Sequence, residues 1–501
     1  MTDPKKFTIP EWTRSRIGYQ CFVDSFSIGD DGINNKALMY DQESYGRELK
    51  QLEWNEEFDE YCYGYSYYGG DLRGMAKAVD NYLADFGINM IYLTPIFKAE
   101  SNHKYDTLDY KKIDEHFGTL EDFKHLLQKC HSNDIKMILD GVFNHTSSKH
   151  NWYLAACKGK KPYLDFYKKN ENGDYLTWAG IDIMPLLNHE SPELRRILYE
   201  ADDSVVKYWL DLGADGWRLD VAEGLGLHVI GDIKSVIKKY FTDKLLIGEV
   251  VDSYGKEWLG ADRLDGVMNY VFLGTTVNFL TGKITGEDYL NDLFKMYNDY
   301  PHDNLYASWN IISTHDTNRM LFEVGGNENL FKMAVALQFT YPGIPMIYYG
   351  DEIGLFAGQK DMNNRTGMNW ETVDLLHLKA REPWKVILPM DWQRVNQYSS
   401  FHYYYKHLIW LRSNKSVLIH GEFIPLYADD SCVCYMRRLD DQFAFVLLNR
   451  GMDRDINVPI PKEITRYKPI LQRGHGPMNS LDLSHDTLKI RAYAQNTYIY
   501  V

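Results

Sequence analysis

Four short apolar runs in this chain each end in a carboxylate or beside one: Met137–His145 (MILDGVFNH), Gly216–Glu223 (GWRLDVAE), Leu245–Val250 (LLIGEV) and Ile311–Asp316 (IISTHD). A short apolar run flanked by helical segments reads as a parallel strand buried on both faces. A carboxylate at the C-terminal end of such a strand has no packing reason to be there. In a closed barrel, that end is where catalytic groups gather. Asp140, Asp220, Glu249 and Asp316 are therefore candidates for one mouth.

The rest of the chain repeats the alternation. Strand-like runs are Ile17–Val23 and Asn89–Phe97, with helices over residues 70–86, from Thr119 through Cys130, from Ser191-Pro192 onward, and over 228–240. Met268–Val271, Trp309–Ser313 and Pro345–Tyr349 read as strands six to eight. This spacing predicts an α/β fold, a (β/α)8 TIM barrel. Residues 146–188 break the rhythm and predict a loop-rich insertion after strand three. From about residue 416, short β-rich segments such as CVCYMRRL and FAFVLLN predict a C-terminal antiparallel β-sandwich. The expected division is barrel 1–144, insertion 145–188, barrel 189–415 and sandwich 416–501.

Composition narrows the function. With 45% hydrophobic and 25% charged residues the chain is an ordinary globular one, long enough for a barrel plus accessory modules. A formal net charge of -15 and scattered Lys and Arg argue against a nucleic-acid or anionic-membrane partner. The 38 Tyr, 22 Phe and 12 Trp suit stacking on sugar rings, and equally suit a large core. Six cysteines with neither CxxC nor zinc spacing are too sparse for a disulfide framework. The N-terminus has no apolar leader and no stretch is long enough to span a membrane, so a cytoplasmic location is expected.

Retaining glycoside hydrolysis needs two carboxylates about 5 to 5.5 Å apart, one attacking the anomeric carbon and the other held protonated as an acid. Arg218 lies two residues before Asp220, so both share a strand face, and its guanidinium is expected to keep Asp220 ionised. A lone Asp at a strand end is more often a helix cap; the context of the four runs together argues otherwise. Asp215 is expected to brace the quiet N-terminal end of its strand. Glu223 reads as a substrate contact or a solvated loop acid, and Cys432 and Cys434 as inert.

These residues resemble the α-amylase family of retaining glycoside hydrolases, closest to its neopullulanase and cyclomaltodextrinase members. The resemblance runs from about residue 16 and includes SNHKYDTLDYKKIDEHFG (Ser101–Gly118), DGVFNH (Asp140–His145), MPLLN (Met184–Asn188), DGWRLDVA (Asp215–Ala222), IGEV (Ile247–Val250), STHDTNR (Ser313–Arg319) and GIPMIYYGDEIGL (Gly343–Leu355). It implies Asp220 as nucleophile, Glu249 as general acid/base and Asp316 as transition-state stabiliser. It further implies that Arg218 orients Asp220, that His145 and His315 bind the sugar, that Tyr105 stacks beneath it, that Asp140 and Asn144 brace the mouth, and that Arg365 contacts sugar. The chemistry needs no cofactor. Many relatives bind Ca²⁺ near the first strand, which here implies Asp30, Asn34, Asn35, Asp71 and the Gly69 carbonyl, although Ile28 stands where a side-chain ligand is usual. Without metal, the same loop is simply a turn-former.

The chain departs from the neopullulanase pattern in starting its barrel near residue 17, without the β-rich domain that usually comes first, and in carrying Glu223-Gly224 and Val251. Asn102, where chain-end glucosidases usually carry Asp, points away from exo-cleavage. The implied activity is hydrolysis of α-1,4 bonds in maltodextrins or starch fragments through a covalent glycosyl-enzyme. The alternatives are a cyclomaltodextrinase or neopullulanase, an α-glucan transglycosylase and, distantly, a non-catalytic sugar-binding relative. The expected partners are α-glucan oligosaccharides or polysaccharides, with the chain a monomer or homodimer.

Overall fold

The structure, a computed structural model, describes residues 9–29, 50–54, 56, 64–252, 254–358, 364–374, 389–459, 482–484 and 487–501. These fall into two compact units, Met1–Met268 with Lys360–Asn369, and Asn269–Gln359 with Trp370–Val501.

The first unit carries parallel strands β1 (Gly18–Cys21), β2 (Met90–Leu93), β3 (Lys136–Gly141), β4 (Gly216–Leu219) and β5 (Leu245–Val250), with β6 (Gly266–Asn269) at its end. Their residues are buried almost throughout, as apolar runs covered on both faces must be. Register pairs Asp140 with Arg218 and Leu219 with Gly248. Strands β7 (Trp309–Ile311) and β8 (Ile344–Tyr348) belong to the second unit. The order β1-β8-β7-β6-β5-β4-β3-β2 closes an eight-stranded parallel barrel, as the strand–helix alternation predicts.

Local chemistry sets the boundaries. Helix α1 (Leu72–Ala78) is capped by Asp71, whose carboxylate accepts from Gly74 N–H. Helix α2 (Leu120–Ser132) opens on a Thr119/Asp122 capping box, and α3 (Leu227–Tyr240) precedes β5. The expected strands are shorter in the structure, and the sixth ends early: Tyr270 and Val271 are helical, not strand. The Asn269 side chain accepts from Phe272 N–H and so starts a helix there. Asp215 braces the N-terminal end of β4 as expected. Its carboxylate lies 2.8 Å from His131 Nε2 and 3.1 Å from Lys136 Nζ, and accepts from Met137 N–H at 2.9 Å. Burial opposes the charge, yet these partners hold the group below its ordinary pKa.

Residues 145–188 form one helix (Asn151–Cys157), short turns and isolated bridges such as His145 to Leu186. Tyr153, Tyr167 and Tyr175 pack edge-on there with centroids 5.0 to 6.1 Å apart. The second unit also holds helices α4 (Gly286–Asp299), α5 (Glu328–Thr340) and α6 (Pro389–Asn414). Its strands β9 (Glu422–Ala428), β10 (Cys432–Leu439), β11 (Gln442–Asn449), β12 (Arg454–Pro459), β13 (Asp482–Ser484), β14 (Thr487–Ala492) and β15 (Asn496–Tyr500) make two antiparallel sheets, β9-β10-β11-β15 and β12-β14-β13. Cys432, Cys434, Leu447, Val458, Leu488 and Ile490 form the core between them. Among the described residues no helix is long and apolar enough to cross a membrane.

Candidate active site

Arg218 organises the C-terminal ends of β3, β4 and β5. It is fully buried. One guanidinium nitrogen donates to both oxygens of Asp140, at 2.9 and 3.0 Å, and to Asp220 Oδ1 at 2.9 Å. The other lies 2.9 Å from Glu249 Oε1. Because Leu219 is paired with Gly248, Asp220 and Glu249 are the next residues along neighbouring strands. Asp140 also accepts from Tyr92 Oη at 2.5 Å and from Tyr105 Oη at 3.1 Å.

The backbone contributes too. Val221, directly after Asp220, sits at φ 45 and ψ 51, a left-handed conformation that a β-branched residue adopts only under constraint. That turn aims its N–H at Glu249 Oε2, 3.0 Å away. Two residues on, the Glu223 carboxylate accepts from the N–H groups of Val251 and Asp252 at 3.0 and 3.1 Å, tying the segment after β4 to the loop after β5. Glu223 is thus a loop anchor.

Three carboxylates surround one guanidinium, so full ionisation would leave two net negative charges in a buried space. Burial pushes Asp220 well above the ordinary carboxylate range; Glu249 and Asp140 add to this, and Arg218 only opposes it. The guanidinium expected to keep Asp220 ionised does lower its pKa, but burial outweighs it.

His145 is buried, with Nε2 facing the Tyr105 carbonyl at 3.1 Å and its ring stacked on Trp178 at 5.5 Å. Burial lowers it to about 4, so it is a neutral imidazole. Arg365 lies over the Phe22 ring, 5.4 Å from its centroid. In the second unit, buried His315 places Nε2 3.0 Å from Asp316 Oδ2, and the Asp316 side chain is 38% exposed. The first unit thus brings together Tyr105, Asp140, His145, Arg218, Asp220 and Glu249, while Asp316 and His315 pair with each other.

Of the five calcium donors, Asp30, Asn34 and Asn35 lie outside the described residues. Asp71 is buried, and besides capping α1 it accepts from Gly29 N–H at 3.1 Å. Gly69 has φ 91 and donates its N–H to Asp24. Among the described residues no three His, Cys, Asp or Glu side chains cluster as metal ligands would.

Sequence reasoning missed Tyr92, because a tyrosine inside an apolar strand looks like core. It also missed why position 224 is glycine: a Cβ there would come within 2.6 Å of Asn144 Oδ1.

The family profile described as "Alpha amylase, catalytic domain" matches residues 20–421. Neopullulanase 2 of Thermoactinomyces vulgaris is 34% identical over 471 residues, covering 91% of this chain and 73% of its own. A cyclomaltodextrinase of Thermoanaerobacter pseudethanolicus is 33% identical over 485 residues, covering 94% and 76%. Among solved structures, a cyclomaltodextrinase superposes with TM-score 0.81 at 28% identity, covering 99% of this chain and 79% of its own. The cyclic alpha-maltosyl-(1→6)-maltose hydrolase of Arthrobacter globiformis superposes with TM-score 0.77 at 25% identity, covering 98% and 99%. With the family match spanning most of the chain and the barrel closing as that family requires, this protein belongs to the α-amylase family of glycoside hydrolases.

Proposed function

We propose that the chain hydrolyses α-1,4 bonds of maltodextrins and starch fragments with retention of configuration. The observation that carries this reading is the Asp220–Glu249 pair on neighbouring strand ends, each on one guanidinium nitrogen of Arg218. The Asp220 carboxylate attacks the anomeric carbon as Glu249 gives its proton to the leaving glycosidic oxygen. The C–O bond breaks and a glycosyl ester of Asp220 forms. Glu249, now ionised, takes a proton from water, whose oxygen attacks the same carbon and releases Asp220. Asp316 binds ring hydroxyls as positive charge develops, and its exposed carboxylate next to His315 suits that task. His145, neutral through burial, orients Tyr105 through the backbone carbonyl it faces. Arg365 and Tyr105 contact the sugar.

Ring opening is the second reading, favoured by the cyclomaltodextrinases and the neopullulanase among the relatives. Chromatographic time courses on maltoheptaose and β-cyclodextrin, run in parallel, separate the two. Linear products from maltoheptaose with an intact ring support the first reading. Faster ring opening supports the second, products longer than the substrate mark transglycosylation, and no cleavage of either overturns both.

Calcium held by Asp30, Asn34, Asn35, Asp71 and the Gly69 carbonyl is a structural element of this reading and takes no part in the reaction. Asp71 supports it: a buried hard-oxygen donor against Gly29, the residue preceding Asp30. Chelation is expected to lower the melting temperature and added Ca²⁺ to restore it; an unchanged melting curve overturns the site. A cytoplasmic location is supported by free thiols at Cys130, Cys157, Cys432 and Cys434.

A further inference from the structure

We propose that the second unit carries a non-catalytic binding site for a short stretch of α-glucan, in the crevice between α5, α6 and the turn leading into β15. The inference rests on the reading of the chain as an α-glucan enzyme and concerns residues that no step of the reaction uses. The crevice has a volume of ≈ 370 Å³, within the range of small-ligand sites. Its wall on α6 is Tyr403, a large aromatic that is 47% exposed although its neighbour Tyr404 is buried.

Around that ring stand Asn329 and Lys332 from α5, Ser400 from α6, Gln495 from the turn and Asn496 at the start of β15. A sugar presents an apolar C–H face and a rim of hydroxyls. An exposed ring ringed by amides and a hydroxyl matches both, since each amide offers a donor and an acceptor. Charge selects the same class of ligand. Among the described residues no carboxylate lines the crevice, and Lys332 is its one cation. The Lys332 ammonium is hydrogen-bonded to Ser400 Oγ and lies one helical turn from Glu328. A phosphate or carboxylate ligand would meet a single, already partnered cation, whereas a neutral polyol meets donors and acceptors throughout.

The turn is held in place before any ligand arrives. Gln495 adopts φ 45, its N–H donates to Gly451 O at 3.3 Å, and its side-chain oxygen accepts from Asn327 Nδ2 at 2.9 Å. Asn496 Oδ1 accepts from Thr497 N–H at 3.0 Å. Binding therefore orders little that is not already ordered.

The test is retardation of the full chain in native gels cast with amylopectin, beside turnover of maltotriose in solution. The wild-type protein is expected to be retarded. Tyr403→Ala should weaken retention about threefold to tenfold, the effect of losing one stacking contact. Asn329→Ala should weaken it less, and both should keep the wild-type melting temperature and kcat/KM on maltotriose. Retention through the reaction site is common to all three proteins, so the difference reads the crevice alone. Undiminished retention in both variants, or a wild-type protein that turns over maltotriose but is not retarded, overturns this site and leaves the proposed function standing. Absence of turnover on every α-glucan instead sinks the function.

Discussion

Asp220→Asn is expected to lower kcat by about 10⁴-fold or more while leaving maltooligosaccharide binding within a few-fold of wild type. Asparagine keeps the shape and a hydrogen-bonding oxygen for Arg218 but cannot form the glycosyl ester. Glu249→Gln behaves differently, because an acid matters only as far as the leaving group needs a proton. On natural maltodextrins its loss should cost about 10²- to 10⁴-fold, and far less on aryl glycosides whose leaving oxygen departs unprotonated. Azide separates the roles further. With Glu249→Ala it attacks the glycosyl ester and yields the α-glycosyl azide, matching the substrate configuration. With Asp220→Ala it attacks the substrate itself and yields the β-azide. Exchanged outcomes would reverse the assignment, and rescue of neither would remove both residues from the chemistry.

The electrostatics of the pair give the same experiment a pH axis. Burial and the neighbouring carboxylates raise Asp220, and Arg218 opposes them. Because the Asp220 nucleophile must be ionised to attack, the acid limb of kcat/KM should fall above the unperturbed Asp value of about 3.9.

How much of this was legible beforehand depends on the distance over which a residue finds its partners. Asp220, Glu249 and Asp316 announce themselves because an acid at the end of an apolar run is a local anomaly. Thr119 and Asp122 announce their helix for the same reason: cap and acceptor are three residues apart. The contacts of Asp140 and the role of Tyr92 do not show, because they depend on how β2, β3 and β4 align, and register between strands far apart in sequence carries no local mark. Val221 is a sharper case. Its φ of 45 contradicts the preference of valine, and only the surrounding turn and Glu249 explain it. For Glu223, open between substrate contact and solvated acid, the sequence gives no sign of the amides it holds, which belong to a loop nearly thirty residues on.

Arg218→Met should destabilise the fold by about 3 to 5 kcal/mol at neutral pH, and the size of the loss should depend on pH. Methionine fills much of the same space, so the effect is electrostatic rather than a cavity. Arg218 is fully buried and is the cation that meets Asp140, Asp220 and Glu249 together. Without it, three buried acids face one another. The sign follows from linkage: removing a cation that lowers the Asp220 pKa raises it further in the folded state, while the unfolded value stays near 3.9. Below that value the carboxyls are protonated in both states and the variant loses little. As pH rises, the unfolded chain releases protons that the folded chain still holds, and the deficit grows until the raised pKa is passed. Denaturant unfolding at pH 5 and pH 8 reads this directly: the difference between variant and wild type should be clearly larger at pH 8. Arg218→Lys should show a smaller deficit with the same trend, because an ammonium restores the charge but cannot span the three carboxylates that the planar fork reaches. Asp140→Asn in the Arg218→Met background should recover part of the loss by removing one of the stranded charges. A deficit equal at both pH values, and untouched by Asp140→Asn, would mean that Arg218 stabilises the barrel by packing alone and that the three acids do not share its charge.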